Sequence, residues 1–181
     1  MTKIILTYDD FAALPNDGRR YELHEGELSV TPAPSTDHQR TIGRLFRLLA
    51  DHVERTGAGE VFLSPLDCIL SNITVIEPDL VYIDGTRRSL VARRGIEGPP
   101  TLALEVLSPS TTVIDRRTKM QLYAAHRVPY YWIVDIEARA IEAYHLREER
   151  YDLTVRLERS ATALPPFPDL ALDPASIWPA A

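Results

Sequence analysis

Glu105 lies in Leu102-Ala103-Leu104-Glu105-Val106-Leu107, a run that is apolar on both sides of it. A strand of that composition belongs in the covered centre of a sheet. An ionised carboxylate there, left unpaired, costs more than the roughly 2–7 kcal/mol of a buried neutral polar group, so a cation or strong hydrogen bonds must compensate it. The alternatives at this residue are a buried ion pair and a strand-end group that reaches water. Asp79 is placed similarly: Glu77-Pro78-Asp79 opens a second apolar segment, Leu80-Val81-Tyr82-Ile83. Pro78 lacks the N–H a ladder needs and marks a strand start, although an isolated Pro-Asp pair can equally begin a strand at the surface. Were the two strands neighbours, the two acids would repel and require positive charge between them. A hard divalent cation such as Mg2+ or Mn2+, which prefers oxygen ligands, answers that need, and metal-assisted hydrolysis is the chemistry that follows.

Three further residues could join such a site. Lys119 falls in a helical segment after the Glu105 strand, where Asp115, Lys119, Leu122, Tyr123 and His126 share one face. Its ammonium would hold an attacking water or balance charge growing on a phosphate; the alternative is a surface pair with Asp115 worth roughly 0.2–0.5 kcal/mol. Glu22, between Tyr21 and Leu23, would face outward if its strand alternates, and as a third acid it would complete a metal shell or bind a water. His38, near the start of a long helix, offers a proton carrier or a phosphate donor, against the alternative of an exposed first-turn histidine.

These groups need elements to hold them. Thr7 precedes Tyr8-Asp9-Asp10-Phe11 and predicts a short capped helix to Leu14. Tyr21, Leu23, Leu28 and Val30 around Glu25-Gly26 predict a hairpin. Ser35 or Thr36 caps a helix with Ile42, Leu45, Phe46, Leu49 and Val53 on its apolar face, stopped by Gly57. Strands are expected over 60–63, 66–70, 80–83 and 101–107, a helix over 113–127, and a strand at 130–134 paired with 140–146. An edge strand at 151–157 follows, then a proline-rich tail pinned by Leu170, Leu172, Ile177 and Trp178.

Composition narrows the function classes. With 181 residues and 45% hydrophobic content, one domain over 1–181 is expected. The single cysteine, Cys68, excludes an intrachain disulfide and a thiolate-rich zinc site, and its apolar setting reads as packing. The first residues carry neither a signal-peptide core nor a spanning segment, so no membrane association and a cytoplasmic location are expected. A net charge of -6 opposes bulk coating of nucleic acid. Two local basic groups, Arg87, Arg88, Arg93 and Arg94, and Arg116, Arg117 and Lys119, remain candidates for phosphate contact or for plain solvated faces.

Tyr21-Glu22-Leu23…Gly26-Glu27, His38, Pro78-Asp79, Leu104-Glu105-Val106-Leu107-Ser108-Pro109-Ser110, Asp115…Lys119…Tyr123 and Val128-Pro129…Tyr131-Trp132-Ile133-Val134-Asp135 occur in that order across nearly the whole chain. Together they resemble the Uma2 family of restriction-endonuclease-like proteins, in the PD-(D/E)XK superfamily. The resemblance implies an α/β (α+β) fold with a mixed central sheet flanked by helices, plus N- and C-terminal hairpins, often assembled as a homodimer. It implies DNA as substrate, Mg2+ or Mn2+ on Asp79 and Glu105, Lys119 as the companion cation, Glu22 as an auxiliary acid and His38 as a possible helper. The superfamily's lysine stands two residues after the second acid, where this chain has Leu107; Lys119 matches the position from which the family supplies the cation instead. Arg127 and Tyr130 also replace the glycine and glutamate more usual in the family. Two competing readings are a nuclease fold that binds nucleic acid or a protein partner without cutting, and a metal-free hydrolase using Glu22 and Glu105 as an acid/base pair.

Overall fold

The computed structural model describes residues 4–178. Its chain opens with α1 (Tyr8–Ala12), where Thr7 and Asp10 form a reciprocal capping box; the helix stops two residues short of Leu14. The hairpin follows as β1 (Arg20–His24) and β2 (Glu27–Thr31), registered Leu23 against Leu28. Next comes the long helix α2 (Thr36–Thr56), started by Ser35, whose hydroxyl accepts the His38 N–H, and ended by Gly57 in the left-handed region.

Two six-stranded mixed sheets organise the rest. The central one contains β3 (Gly59–Leu63), β6 (Leu80–Asp84), β9 (Leu102–Val106), β10 (Tyr130–Asp135), β11 (Ala140–Arg147) and β12 (Arg150–Leu157). Its order is β12-β11-β10-β9-β6-β3, with the β9/β10 pair parallel. The second sheet adds β4 (Cys68–Ser71), β5 (Thr74–Ile76), β7 (Val91–Ala92) and β8 (Gly95–Glu97) to the hairpin, in the order β2-β1-β5-β4-β8-β7. Segments of two or three residues carry too little alternation to announce themselves, which is why β5, β7 and β8 were not foreseen.

Both faces of the central sheet are covered. On one, Leu80, Tyr82, Leu102, Leu104, Val106, Trp132 and Val134 pack against Ile42, Leu45, Leu49 and Val53 of α2 and against Phe167, Leu172, Ile177 and Trp178 of the tail. The Trp132 indole donates to the Pro165 carbonyl at 2.8 Å, tying the tail down as its composition suggested. On the other face, Ala103, Leu107, Tyr131 and Ile133 meet Ile76 of the second sheet and Leu122 and Tyr123 of a helix. Each fully buried aliphatic or aromatic side chain contributes roughly 1.5–3 kcal/mol, so β9 sits where displacement is most expensive.

The hairpin departs from its alternation pattern. Leu28 and Val30 are 40% and 50% exposed, whereas Glu22 is 1% exposed. β1 is flanked by β2 and β5, and Glu22 turns inward because a cation waits there.

Candidate active site

β6 and β9 are antiparallel with Leu80 opposite Leu104, so continuing the register by one residue sets Asp79 across from Glu105. Side chains alternate along a strand, and both acids therefore stand on the face away from α2. Each has one oxygen held by the protein. Asp79 Oδ2 accepts the Val106 N–H at 2.8 Å and lies 3.1 Å from His38 Nε2. Glu105 Oε1 accepts from Lys119 Nζ at 2.9 Å and from the Tyr123 hydroxyl at 2.7 Å. Asp79 Oδ1 and Glu105 Oε2 take no hydrogen bond among the described residues, and both acids line one cleft of about 360 Å³.

Lys119 reaches this point through an unusual helix. Ile114–Lys119 is wound as a π-helix that continues into α3 (Met120–Ala125), a rare, wide winding that is frequent at functional sites. It buries both Asp115 and Lys119. Lys119 Nζ is 2.9 Å from Glu105, 2.9 Å from Glu22 and 3.8 Å from Asp115. Burial alone would lower the ammonium's pKa, but Glu105, Glu22 and Asp115 override it and hold the pKa above its ordinary value. The exposed Asp115–Lys119 surface pair is thereby set aside.

The acids respond unequally. Burial pushes Glu105 well above the ordinary carboxylate range, Lys119 offsets only part of this, and Asp115, Asp79 and Glu22 add to it. Burial also works to raise Glu22, but Lys119 and His24 win and hold it at about 2. Asp115 is raised to about 6, chiefly by burial. Glu22 stands behind the lysine: its Oε1 accepts from Lys119 and from the Glu77 N–H, its Oε2 meets His24 at 3.1 Å, and it does not line the cleft.

His38 Nε2 is 3.0 Å from the Val106 carbonyl and 3.1 Å from Asp79. Two acceptors on one nitrogen require it to be the N–H, and buried Nδ1 has no partner. The residue is buried rather than an exposed first-turn histidine. Two participants were not singled out as site residues by the sequence. Tyr123 figured there as a face residue and as part of the family pattern, and its hydroxyl holds Glu105. Arg20 lines the cleft with Nη1 3.8 Å from Asp79 Oδ1; continuing the antiparallel β1/β5 register from Leu23 opposite Val75 puts it beside Pro78. Of the two predicted basic groups only Lys119 enters the site; Arg88 pairs with Glu60, Arg94 with Glu97, and Arg116 with Glu142.

The donor set suits a hard cation in a particular way. Among the described residues no group of three His, Cys, Asp or Glu side chains is arranged to hold a metal ion, so a closed protein cage is absent. Mg2+ characteristically takes one or two carboxylates and fills its remaining positions with water and substrate phosphate. The free oxygens of Asp79 and Glu105 on one cleft match that demand, as does the surplus of acids around them.

A mixed, helix-flanked sheet with paired carboxylates and a lysine defines a restriction-endonuclease-like protein. Residues 8–175 match the family model described as "Uma2: Putative restriction endonuclease", and the chain belongs to that family. Its fold is similar to the crystal structure of a nuclease, titled putative and assigned to DUF820, from Anabaena variabilis ATCC 29413. The TM-score is 0.78 at 19% identity, covering 95% of this chain and 97% of the other. No curated protein matches the chain. No helix among the described residues is long and apolar enough to cross a membrane.

Proposed function

We propose that the protein is a Mg2+- or Mn2+-dependent endonuclease that hydrolyses DNA phosphodiester bonds in the cleft lined by Asp79, Glu105 and Lys119. One observation carries the reading. Two carboxylates meet across adjacent strands, each with one oxygen fixed by protein donors and the other left toward the cleft. A divalent ion bound there would polarise a phosphate oxygen and lower the pKa of a bound water.

The chain's own residues supply positioning and charge. Val106 N–H and His38 fix Asp79, and Tyr123 and Lys119 fix Glu105, so little reorganisation is needed when substrate arrives. Lys119 stays protonated and acts as a charge and hydrogen-bond donor, not as a base. Glu22 keeps that ammonium in place. His38, with its Nε2–H engaged by the Val106 carbonyl and Asp79, orients Asp79. The metal-free alternative loses support because Glu22 does not reach the cleft.

The test is cleavage of plasmid DNA by purified protein with Mg2+ or Mn2+, beside Asp79→Asn, Glu105→Ala and Lys119→Ala. Wild-type nicking that disappears in all three is expected. Cleavage that survives Glu105→Ala and Lys119→Ala refutes the site, and tight DNA binding without cleavage in every metal selects the binding-only reading.

A further inference from the structure

Lys119 is poorly placed to greet a phosphate. The residue is 5% exposed, and its ammonium already donates toward Glu105 and Glu22. Among the residues lining the cleft the other fixed cation is Arg20, whose side chain is 21% exposed. A guanidinium carries five N–H donors in a planar fork. Arg20 gives Nε to the Glu77 carboxylate at 2.9 Å and Nη2 to the Glu77 carbonyl at 3.0 Å. Those two contacts lock the plane, while Nη1 makes no hydrogen bond among the described residues. That nitrogen lies on the Asp79 side, 3.8 Å from Oδ1, too far for a hydrogen bond and near enough to share a ligand.

We propose that Arg20 is the phosphate-binding residue of this site, its free Nη1 edge holding a non-bridging oxygen of the scissile phosphodiester beside Asp79. The assignment rests on the nuclease reading and divides the labour between the two cations. Lys119 neutralises the buried acids; Arg20 meets the substrate. A preformed guanidinium suits this role because its planar fork matches phosphate geometry. Glu77 is then a positioning residue, acting through Arg20. The surrounding acids, Asp37 and Glu137 among them, disfavour a long run of phosphates, so recognition concentrates on one.

The experiment follows kcat/KM for Mg2+-dependent cleavage of a fluorescein-labelled oligonucleotide as KCl is raised, in wild type, Arg20→Gln and Arg20→Lys, with thermal unfolding as a folding check. Arg20→Gln should lower kcat/KM by about 10–100-fold. It should also flatten the plot of log kcat/KM against log salt by about 0.7 for a single strand or about 0.9 for a duplex, the signature of one lost phosphate contact. Arg20→Lys keeps the charge and should keep the wild-type slope while losing part of the rate. A folded Arg20→Gln protein with the wild-type rate overturns the assignment. So does a rate loss with unchanged slope, since that marks an arginine that only steadies Asp79, and so does an altered slope in Arg20→Lys. Failure of the nuclease reading is distinguishable, because it shows as absence of cleavage in the wild type itself.

Discussion

Replacing Lys119 by methionine keeps much of the side chain's length and removes its charge, so the loss falls on the acids around it. Two routes give its size. Against burial, Lys119 and His24 together hold Glu22 at about 2 rather than an ordinary 4.5, a net effect on the order of 3 kcal/mol at about 1.4 kcal/mol per unit, of which Lys119 supplies the larger part. Breaking a buried ion pair by deleting one partner costs roughly 3–5 kcal/mol. At roughly 2–4 °C per kcal/mol for a chain of this size, Tm should fall by about 6–20 °C near neutral pH. The pH dependence has a definite sign. In the wild type, Glu22 lies below its unfolded value, so its stabilisation is present above 4.5 and is lost as pH falls toward about 2. Without the lysine, Glu22 rises above its unfolded value and joins Glu105, which is already above its own; the added burden on the fold at neutral pH lifts as Glu22 takes up its proton. The deficit should therefore shrink between about pH 7 and about pH 5, as read by thermal unfolding followed by circular dichroism. A Lys119→Met protein within a degree or two of wild type at neutral pH, or a deficit unchanged on acidification, would refute the assignment of Lys119 as counter-charge.

Because Glu105 lies above the usual carboxylate range and a ligand must be deprotonated to bind metal, Mg2+ affinity measured by calorimetry should rise with pH, and Asp79→Asn should abolish the binding heat. The same ion at about a hundred times its Kd should stabilise the wild type by about 2.7 kcal/mol, a Tm gain of roughly 5–11 °C that Asp79→Asn lacks. Tyr123→Phe removes the hydroxyl that holds Glu105 and should cost about 1–3 kcal/mol in urea unfolding; a neutral result would mean that Lys119 alone orients the acid. Gly59→Ala places a Cβ against the Ile83 carbonyl at a backbone angle of +156°, so the β3/β6 pairing should weaken and Tm should drop without any change in Mg2+ affinity.

How much of this was legible in the chain divides along physical lines. The central strands were readable because their apolar runs are long and continuous, and α2 because its cap, stripe and Gly57 stop agree with one another. Glu105 was conspicuous for the same reason, as a charge with no place in such a run. The second sheet was not readable, since β5, β7 and β8 are two or three residues each and gain their order from neighbours. Arg20 gave no signal because its role depends on Pro78 lying across the strand pair, a relation that no local pattern contains.

Glu22 shows why alternation misled at the hairpin. A neutralised buried acid and a solvated one look identical in a pattern of polar and apolar residues, and only the position of Lys119 separates them. The lysine's own route explains Leu107. That residue stands two beyond Glu105 on the same strand face, and here it packs with Leu122 and Tyr123 in the layer beneath the helix. A lysine at that point would lose this packing and bring a second ammonium beside one already balanced by three carboxylates. The cation instead arrives from the π-wound turn, which sets Asp115 and Lys119 together inside the protein. Moving the charge from strand to helix thus closes the core under the site and leaves the open face of Asp79 to Arg20.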